Sequence, residues 1–176
     1  MNITSYNSVD NKELREHYAL WDLACSGIGI AGFLVYRSSS SLTVSRQFLL
    51  AILIYMFSFV IREVLKGLVF KILGPKGSKI QFNVAKSRLT CVSSGLKLSP
   101  AKYKVALVLP FVILTGLYIG MGYTQSLPSV MFFDIFWTAG ASIADFATIQ
   151  QINAIERQES VLYVEDTLSG VDIYSE

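Results

Sequence analysis

The chain has 176 residues, of which 52% are hydrophobic and 16% are charged, and its mean hydropathy is +0.48. These values are typical of membrane proteins and exclude an ordinary soluble globular domain. The formal net charge is only +2. Basic residues beside apolar segments are explained by membrane orientation and anionic lipid, so the lipid bilayer is an expected partner and a nucleic acid is not.

Four apolar segments are long enough to cross about 30 Å of hydrocarbon at about 1.5 Å per residue. They are predicted at residues 19–36, 48–73, 105–123 and 130–152. The first is the weakest, because Asp22 and several glycines dilute it. The predicted fold class is mainly α: a polytopic membrane protein with a four-helix transmembrane bundle, formed by residues 1–176 as a single membrane domain.

The polar segments differ strongly in charge. The connection between the second and third spans, with its flanks Lys71 to Lys104, carries eight Lys or Arg and no acid, whereas the tail 156–176 carries six acids and Arg157. The positive-inside rule places the basic connection in the cytoplasm. Four spans then predict an integral, multi-pass protein of the cytoplasmic (plasma) membrane, with both termini cytoplasmic.

The connection 74–104 is predicted to contain β structure. Gly74 and Pro75 end the second helix. Ile80, Phe82 and Val84 then alternate with polar residues, and a second such run follows, which predicts a short hairpin with one apolar face. The tail has a similar pattern on both sides of a predicted turn at Ser169. Docking of this acidic tail on the basic hairpin and a disordered tail remain equal alternatives.

Three charged residues, Arg62, Glu63 and Lys66, lie inside the second apolar segment. A charge at the centre of a membrane helix costs about 2.5–3.5 kcal/mol on insertion scales. Such residues must therefore face a protein interior, meet opposite charges, or lie near the membrane surface. Arg62 and Lys66 share one helix face. Anchoring of the helix end by snorkelling is the simpler alternative for these two cations.

Asp145 is the predicted partner of these cations. Counted from the starts of their spans, Arg62 and Asp145 both lie roughly 22–24 Å into the membrane. Together with Glu63 and Lys66 they form a cluster of zero net charge, which is how charged groups persist in a bilayer. Asp145 also ends a polar stripe, which Asp134 begins near the outer surface. Asp134 is expected to be partly hydrated there and is not a site candidate.

The chain resembles the DUF3267-type zincin peptidases, which are small site-2-protease-like integral membrane metalloproteases. The resemblance covers about residues 48–174 and rests on four segments in order. These are Arg62-Glu63-Val64-Leu65-Lys66 at the position of H-E-x-x-H, Leu98 to Tyr103 with Pro110, Ser142-Ile143-Ala144-Asp145 around the acidic ligand, and Asp166 to Tyr174. The resemblance implies a cytoplasmic β-rich connection, and a base and a third metal ligand at the positions of Glu63 and Asp145.

The two histidine positions of this motif hold Arg62 and Lys66. Zinc hydrolysis requires neutral imidazoles that hold the metal and lower the pKa of its bound water. The only histidine, His17, precedes the first span. We therefore predict a degenerate site (Arg62, Glu63, Lys66 and Asp145) with no catalytic residue, no metal and no cofactor, in which the two cations take the charge role of zinc.

Three functions follow as alternatives. The first is a pseudoprotease that binds a membrane-protein or peptide partner as a regulatory or assembly subunit, through strand addition at Ile80, Phe82 and Val84. The second is a small transporter or channel accessory subunit that uses the charge cluster. A relay, however, would distribute titratable groups across the membrane rather than at one depth. The third is a hydrolase with a Ser142–Lys66 pair. The sequence does not indicate which oligomeric state the protein adopts.

Overall fold

The computed structural model describes residues 2–6, 12–37, 42–75, 80–85, 88–92, 95–167 and 170–176. The helices in this part of the chain are α1 (Lys12–Tyr36), α2 (Val44–Leu73), α3 (Pro100–Thr124), α4 (Pro128–Ala141) and α5 (Ile143–Glu156). The strands are β1 (Asn2–Tyr6), β2 (Gln81–Ala85), β3 (Arg88–Val92), β4 (Lys97–Leu98), β5 (Val161–Thr167) and β6 (Gly170–Ser175). The mainly helical class is thus confirmed.

Three of these helices are long and apolar enough to cross a membrane. They are α2, α3 and the part of α1 that comprises Glu16–Tyr36. The number becomes four if the bent pair α4 and α5 is counted as one span. The first three segments agree with the predicted spans. The arrangement of the four as one bundle and the single membrane domain stay predictions.

The continuous fourth helix predicted for residues 130–152 is wrong, because the chain breaks at Ser142 between α4 and α5. The Ser142 amide donates to the carbonyls of Thr138 and Ala139, at 3.0 and 3.1 Å. Such shared, tightened bonds are typical of a helix C-terminus. Gly140 and Ser142 both lower helix propensity, so this short segment is a physically reasonable breakpoint.

Two compact units make up the chain. Unit 1 comprises Met1–Arg15, Glu63–Pro110 and Ala144–Glu176, and unit 2 comprises Glu16–Arg62 and Phe111–Ile143. Each has its own buried apolar cluster. The ends of α2 and α3 that belong to unit 1 contribute Phe70 and Tyr103 to its cluster, where the two rings lie 5.7 Å apart.

Unit 1 contains a four-stranded antiparallel sheet in the order β1-β6-β5-β4. Its strands come from the N-terminal segment, the basic connection and the acidic tail. In β6, Val171, Ile173 and Ser175 are buried and alternate with half-buried residues, as expected for a strand with one face on a core. The tail therefore forms ordered strands that pair with β4 and β1, while its docking on the β2–β3 hairpin stays a prediction. The predicted turn residue Ser169 lies outside the described residues.

Lys97 fixes the β4 edge of this sheet to the tail. Its Nζ lies 4.5 and 4.9 Å from the ring centroids of Tyr163 and Tyr174. It also donates a 3.2 Å hydrogen bond to the Tyr163 hydroxyl, and this bond raises the pKa of Lys97. A cation over two aromatic rings is a favourable contact even at an exposed site.

Strands β2 and β3 form a separate antiparallel pair in which Phe82 is opposite Cys91. The predicted hairpin pairing is therefore present, and its cytoplasmic placement stays a prediction. The pair approaches α2 closely at Gly67. A Cβ atom at position 67 would lie 2.9 Å from Cys91 Sγ and 3.1 Å from the tip of the Phe82 ring. Only glycine fits there without displacing a neighbour.

Unit 2 is built from α1, the first part of α2, the second part of α3, and α4. Phe33 from α1 and Phe133 from α4 are both buried, and their rings meet edge to face at 6.2 Å. Gly32 of α1 allows this approach, since a Cβ atom there would lie 3.0 Å from Phe132 Cβ. Many other large apolar side chains of these helices are exposed, as expected for surfaces that face lipid.

Candidate functional site

Lys66 and Asp145 form an ion pair within unit 1. Lys66 Nζ lies 3.3 Å from Asp145 Oδ1, and the two side chains are 15% and 17% exposed. Asp145 lies in the first turn of α5. A carboxylate there is also favoured by the positive end of the helix dipole. The depth count had matched Asp145 to Arg62 and both cations were expected to meet it; the ion pair is with Lys66.

Glu63 is anchored to the hairpin. Its side chain is 3% exposed, and its Oε2 accepts a 2.9 Å hydrogen bond from the backbone amide of Cys91 in β3. A carboxylate that accepts a backbone N–H bond in a buried place makes a strong, charge-assisted interaction. The residue at the predicted base position thus connects α2 to the strand pair.

Arg62 caps the C-terminus of α4 within unit 2. Its Nη1 donates to the Ala141 carbonyl at 2.6 Å and to Ser142 Oγ at 3.5 Å. The last carbonyls of a helix have no partner inside the helix and carry the negative end of the dipole, so a guanidinium is a favourable cap. The break at Ser142 therefore supplies Arg62 with a specific structural role.

The Ser142–Lys66 pair imagined for a hydrolase has no support in these contacts. Ser142 is buried and lies near the Arg62 guanidinium, while Lys66 is engaged by Asp145. A lysine held as an ammonium by a carboxylate is a poor proton acceptor for a serine hydroxyl.

Two of the three predicted partner-binding residues have described side chains. Phe82 on β2 is 50% exposed, and Ile80 just before β2 is half-buried. The side chain of Val84 lies outside the described part of the chain. Both Ile80 and Phe82 also contact the α2 surface at Gly67, so they help to position the hairpin against α2.

Asp134 is not partly hydrated, contrary to the sequence-based expectation. Its side chain is 0% exposed in unit 2, and neither carboxylate oxygen has a hydrogen-bond partner among the described residues. The expectation was wrong because a residue's depth along a helix does not reveal which face other helices cover. Asp134 shares a face of α4 with Thr138, whose hydroxyl lies 3.2 Å from that of Tyr118, so α3 covers this face.

The fold and these contacts define a class: helices apolar enough to span a membrane, joined to a small antiparallel sheet, with an ion-paired cluster on α2 and α5. Residues 55–158, more than half of the chain, match the model of the family DUF3267, described as "Putative zincin peptidase". The chain belongs to this family. Neither a curated protein nor a solved structure matches it.

The name of the family implies zinc, and the residues at the motif positions do not fit a zinc ion. Arg62 and Lys66 are cations that offer no lone pair to a metal, and the carboxylate of Asp145 is engaged by Lys66. Among the residues that the structure describes, no three His, Cys, Asp or Glu side chains come together. No step through a metal is therefore derived for this chain.

Sequence reasoning missed the Cys91 amide as partner of Glu63, the cap that Arg62 provides, and the burial of Asp134. One of these had a usable signal. Asp134 and Thr138 are one helical turn apart, and a polar stripe on an apolar helix is expected to face the protein interior. The other two depend on backbone geometry at Ser142 and on hairpin docking at Gly67, which no residue pattern in the sequence reveals.

Proposed function

We propose that this chain is a non-hydrolytic member of its family that binds a segment of another membrane protein as a regulatory or assembly subunit. The ion pair between Lys66 and Asp145 carries the proposal. It occupies positions where a zincin would have its second histidine and its acidic ligand. A lysine there neutralises Asp145 without a metal, so the scaffold is retained while hydrolytic chemistry is lost.

Sheet pairing supports a common side of the membrane for the N-terminal segment, the basic connection and the tail. β1 pairs with β6, and β4 pairs with β5. Paired strands must lie on one side, so the chain crosses an even number of times between them. If α1, α2 and α3 each cross once, α4 and α5 together must make one crossing. The Lys and Arg content of the connection favours the cytoplasm for that side.

The hairpin provides the surface for the proposed partner. β2 pairs with β3 along one edge, and within the described residues its other edge has no strand partner. An extended peptide can add to such an edge through main-chain hydrogen bonds, while exposed apolar side chains give specificity. Phe82, half-exposed on β2, is the expected contact residue.

The first test is purification from the native host in a mild detergent, followed by mass spectrometry for metal and for co-purifying proteins. The proposal predicts a zinc-free protein with a stoichiometric membrane partner. Phe82→Ala is expected to lose the partner. Leu162→Ala is the matched control, since it removes an exposed apolar side chain from β5. Bound zinc without a partner would contradict the proposal.

Restoring the histidines tests the site alignment itself. The double variant Arg62→His/Lys66→His is expected to bind about one zinc ion per chain, because two imidazoles and Asp145 then form a zincin donor set. Adding Asp145→Asn to the double variant is expected to weaken zinc binding about 10–100-fold or more. Absence of zinc from the double variant, provided that it folds, would mean that the motif positions have been misassigned.

A further inference from the structure

The carboxylate of Asp134 lies in the interior of unit 2 without a counter-charge or hydrogen bond from the described residues. It is 0% exposed, and neither oxygen has a hydrogen-bond partner within the described part of the chain. An ionised carboxylate in such surroundings is strongly unfavourable unless it is paired or coordinates a metal. A proton would remove the charge but would leave two polar atoms without partners. A bound cation would satisfy the charge and the oxygens together.

Two hydroxyl groups lie near Asp134, and a third lies one helical turn from one of them. Thr138 is one helical turn away on α4, and its hydroxyl lies 3.2 Å from the hydroxyl of Tyr118. Tyr118 also bonds to Ser58 and lies close enough to Asp134 to interact with it electrostatically. Thr115, one turn before Tyr118 on α3, has a buried hydroxyl without a partner in the described residues. Carboxylate and hydroxyl oxygens are ligands for hard cations rather than for zinc or copper.

We propose that Asp134 is the anionic ligand of a buried Na⁺ site in unit 2, with the hydroxyls of Thr138, Tyr118 and Thr115 as candidate neutral ligands. A monovalent ion leaves the site neutral, whereas a divalent ion would leave one uncompensated positive charge in an apolar interior. The complete burial of Asp134 favours a small ion over an organic cation. A water carried by the ion would also provide an acceptor for the buried Trp137 Nε1–H, which has no partner in the described chain.

This site is independent of the proposed partner binding, because its residues belong to a different unit from Lys66, Asp145 and the hairpin. A chain without Na⁺ affinity could still bind a partner, and the reverse also holds. Each proposal can therefore be refuted by experiment without refuting the other.

Trp137 provides a local reporter, since it lies on α4 within one turn of Asp134. The chain has two tryptophans, so Trp21→Phe leaves Trp137 as the only one. The detergent-purified Trp21→Phe protein is titrated with NaCl at constant ionic strength, with choline chloride as the balancing salt. We expect a saturable change in Trp137 fluorescence. We also expect Tm to rise by about 5–10 °C at a Na⁺ concentration about 100-fold above Kd.

Asp134→Asn is expected to abolish both responses, while Glu176→Gln, which removes an exposed carboxylate, leaves them unchanged. If Asp134→Asn does not fold, Thr138→Val keeps the charge and is expected to weaken Na⁺ binding about tenfold. Absence of a saturable Na⁺ response would overturn the proposal. A response to pH alone that requires Asp134 would also overturn it and would assign a protonated, hydrated carboxyl group instead.

Discussion

Asp145 and Asp134 lie on the consecutive helices α5 and α4, and their environments differ in charge compensation. In unit 1, Asp145 is paired with Lys66 at 3.3 Å and lies at a helix N-terminus. In unit 2, Asp134 is fully buried without a partner in the described residues. The first carboxylate is balanced by the chain itself and therefore has a structural role. The second has no such balance among the described residues, and this difference is the basis of the proposed Na⁺ site.

The largest effect is expected where a buried carboxylate has a partner that cannot move away. Glu63→Ala removes the acceptor of the Cys91 amide and leaves a void between α2 and β3. We expect a loss of about 3 kcal/mol in the free energy of unfolding, or about 6–12 °C in Tm, measured by thermal unfolding in detergent. Glu63→Gln keeps an acceptor oxygen and should lose less than half of this. Equal losses in both variants would argue against the hydrogen bond.

Asp145→Asn is expected to have the second-largest effect, because it removes the carboxylate charge that pairs with the Lys66 ammonium. The pair is only partly exposed, so we expect a loss of about 2 kcal/mol and a fall in Tm of about 4–8 °C. The same unfolding assay applies. An unchanged Tm would mean that Lys66 reaches water or lipid head groups and that the pair does not hold α2 to α5.

Asp134→Asn is expected to change stability in the opposite direction. In Na⁺-free choline chloride the variant loses an uncompensated buried charge, so its Tm should exceed that of the wild type by about 2–4 °C. In saturating NaCl the wild type should have the higher Tm of the two proteins. A fall in Tm in both salts, as expected for Asp145→Asn, would remove the distinction between the two carboxylates.

The smallest effect is expected at the exposed ion pair between Lys104 and Glu156, whose side chains are 23% and 34% exposed. Exposed pairs contribute about 0–1 kcal/mol, so Glu156→Gln should lower Tm by no more than about 3 °C. This variant gives the fall in Tm that is expected when a helix of this protein loses an exposed carboxylate. An effect as large as that of Asp145→Asn would show that burial does not separate the two pairs.

Much of the helical part could be predicted from the sequence, because hydropathy over about 20 residues measures a physical requirement of spanning a membrane. An opposite charge beside Lys66 was expected because a charged residue in an apolar helix needs one nearby, although the depth count had matched Asp145 to Arg62. The break at Ser142 could not be predicted from hydropathy, because a window as long as a membrane span averages over a local bend. Arg62 could therefore not be placed at the cap of α4.

The sheet was only partly predictable. The strand character of β5 and β6 is visible in their alternation of apolar and polar residues. Their partners are not, since no strand was predicted at β1, and β4 has only two residues. Strand partners are selected by packing in the folded state, and the sequence gives no direct measure of which distant segments meet.

The position of β1 beside β6 has a consequence for biosynthesis. β1 is translated first, and its partner is translated after all the other described helices and strands. At about 5–20 residues per second, β1 must wait on the order of ten seconds or more before it can pair. During that time it presents unpaired backbone groups next to a membrane that is receiving the helices. Completion of the sheet is therefore a late event, which requires every intervening helix to have been synthesised.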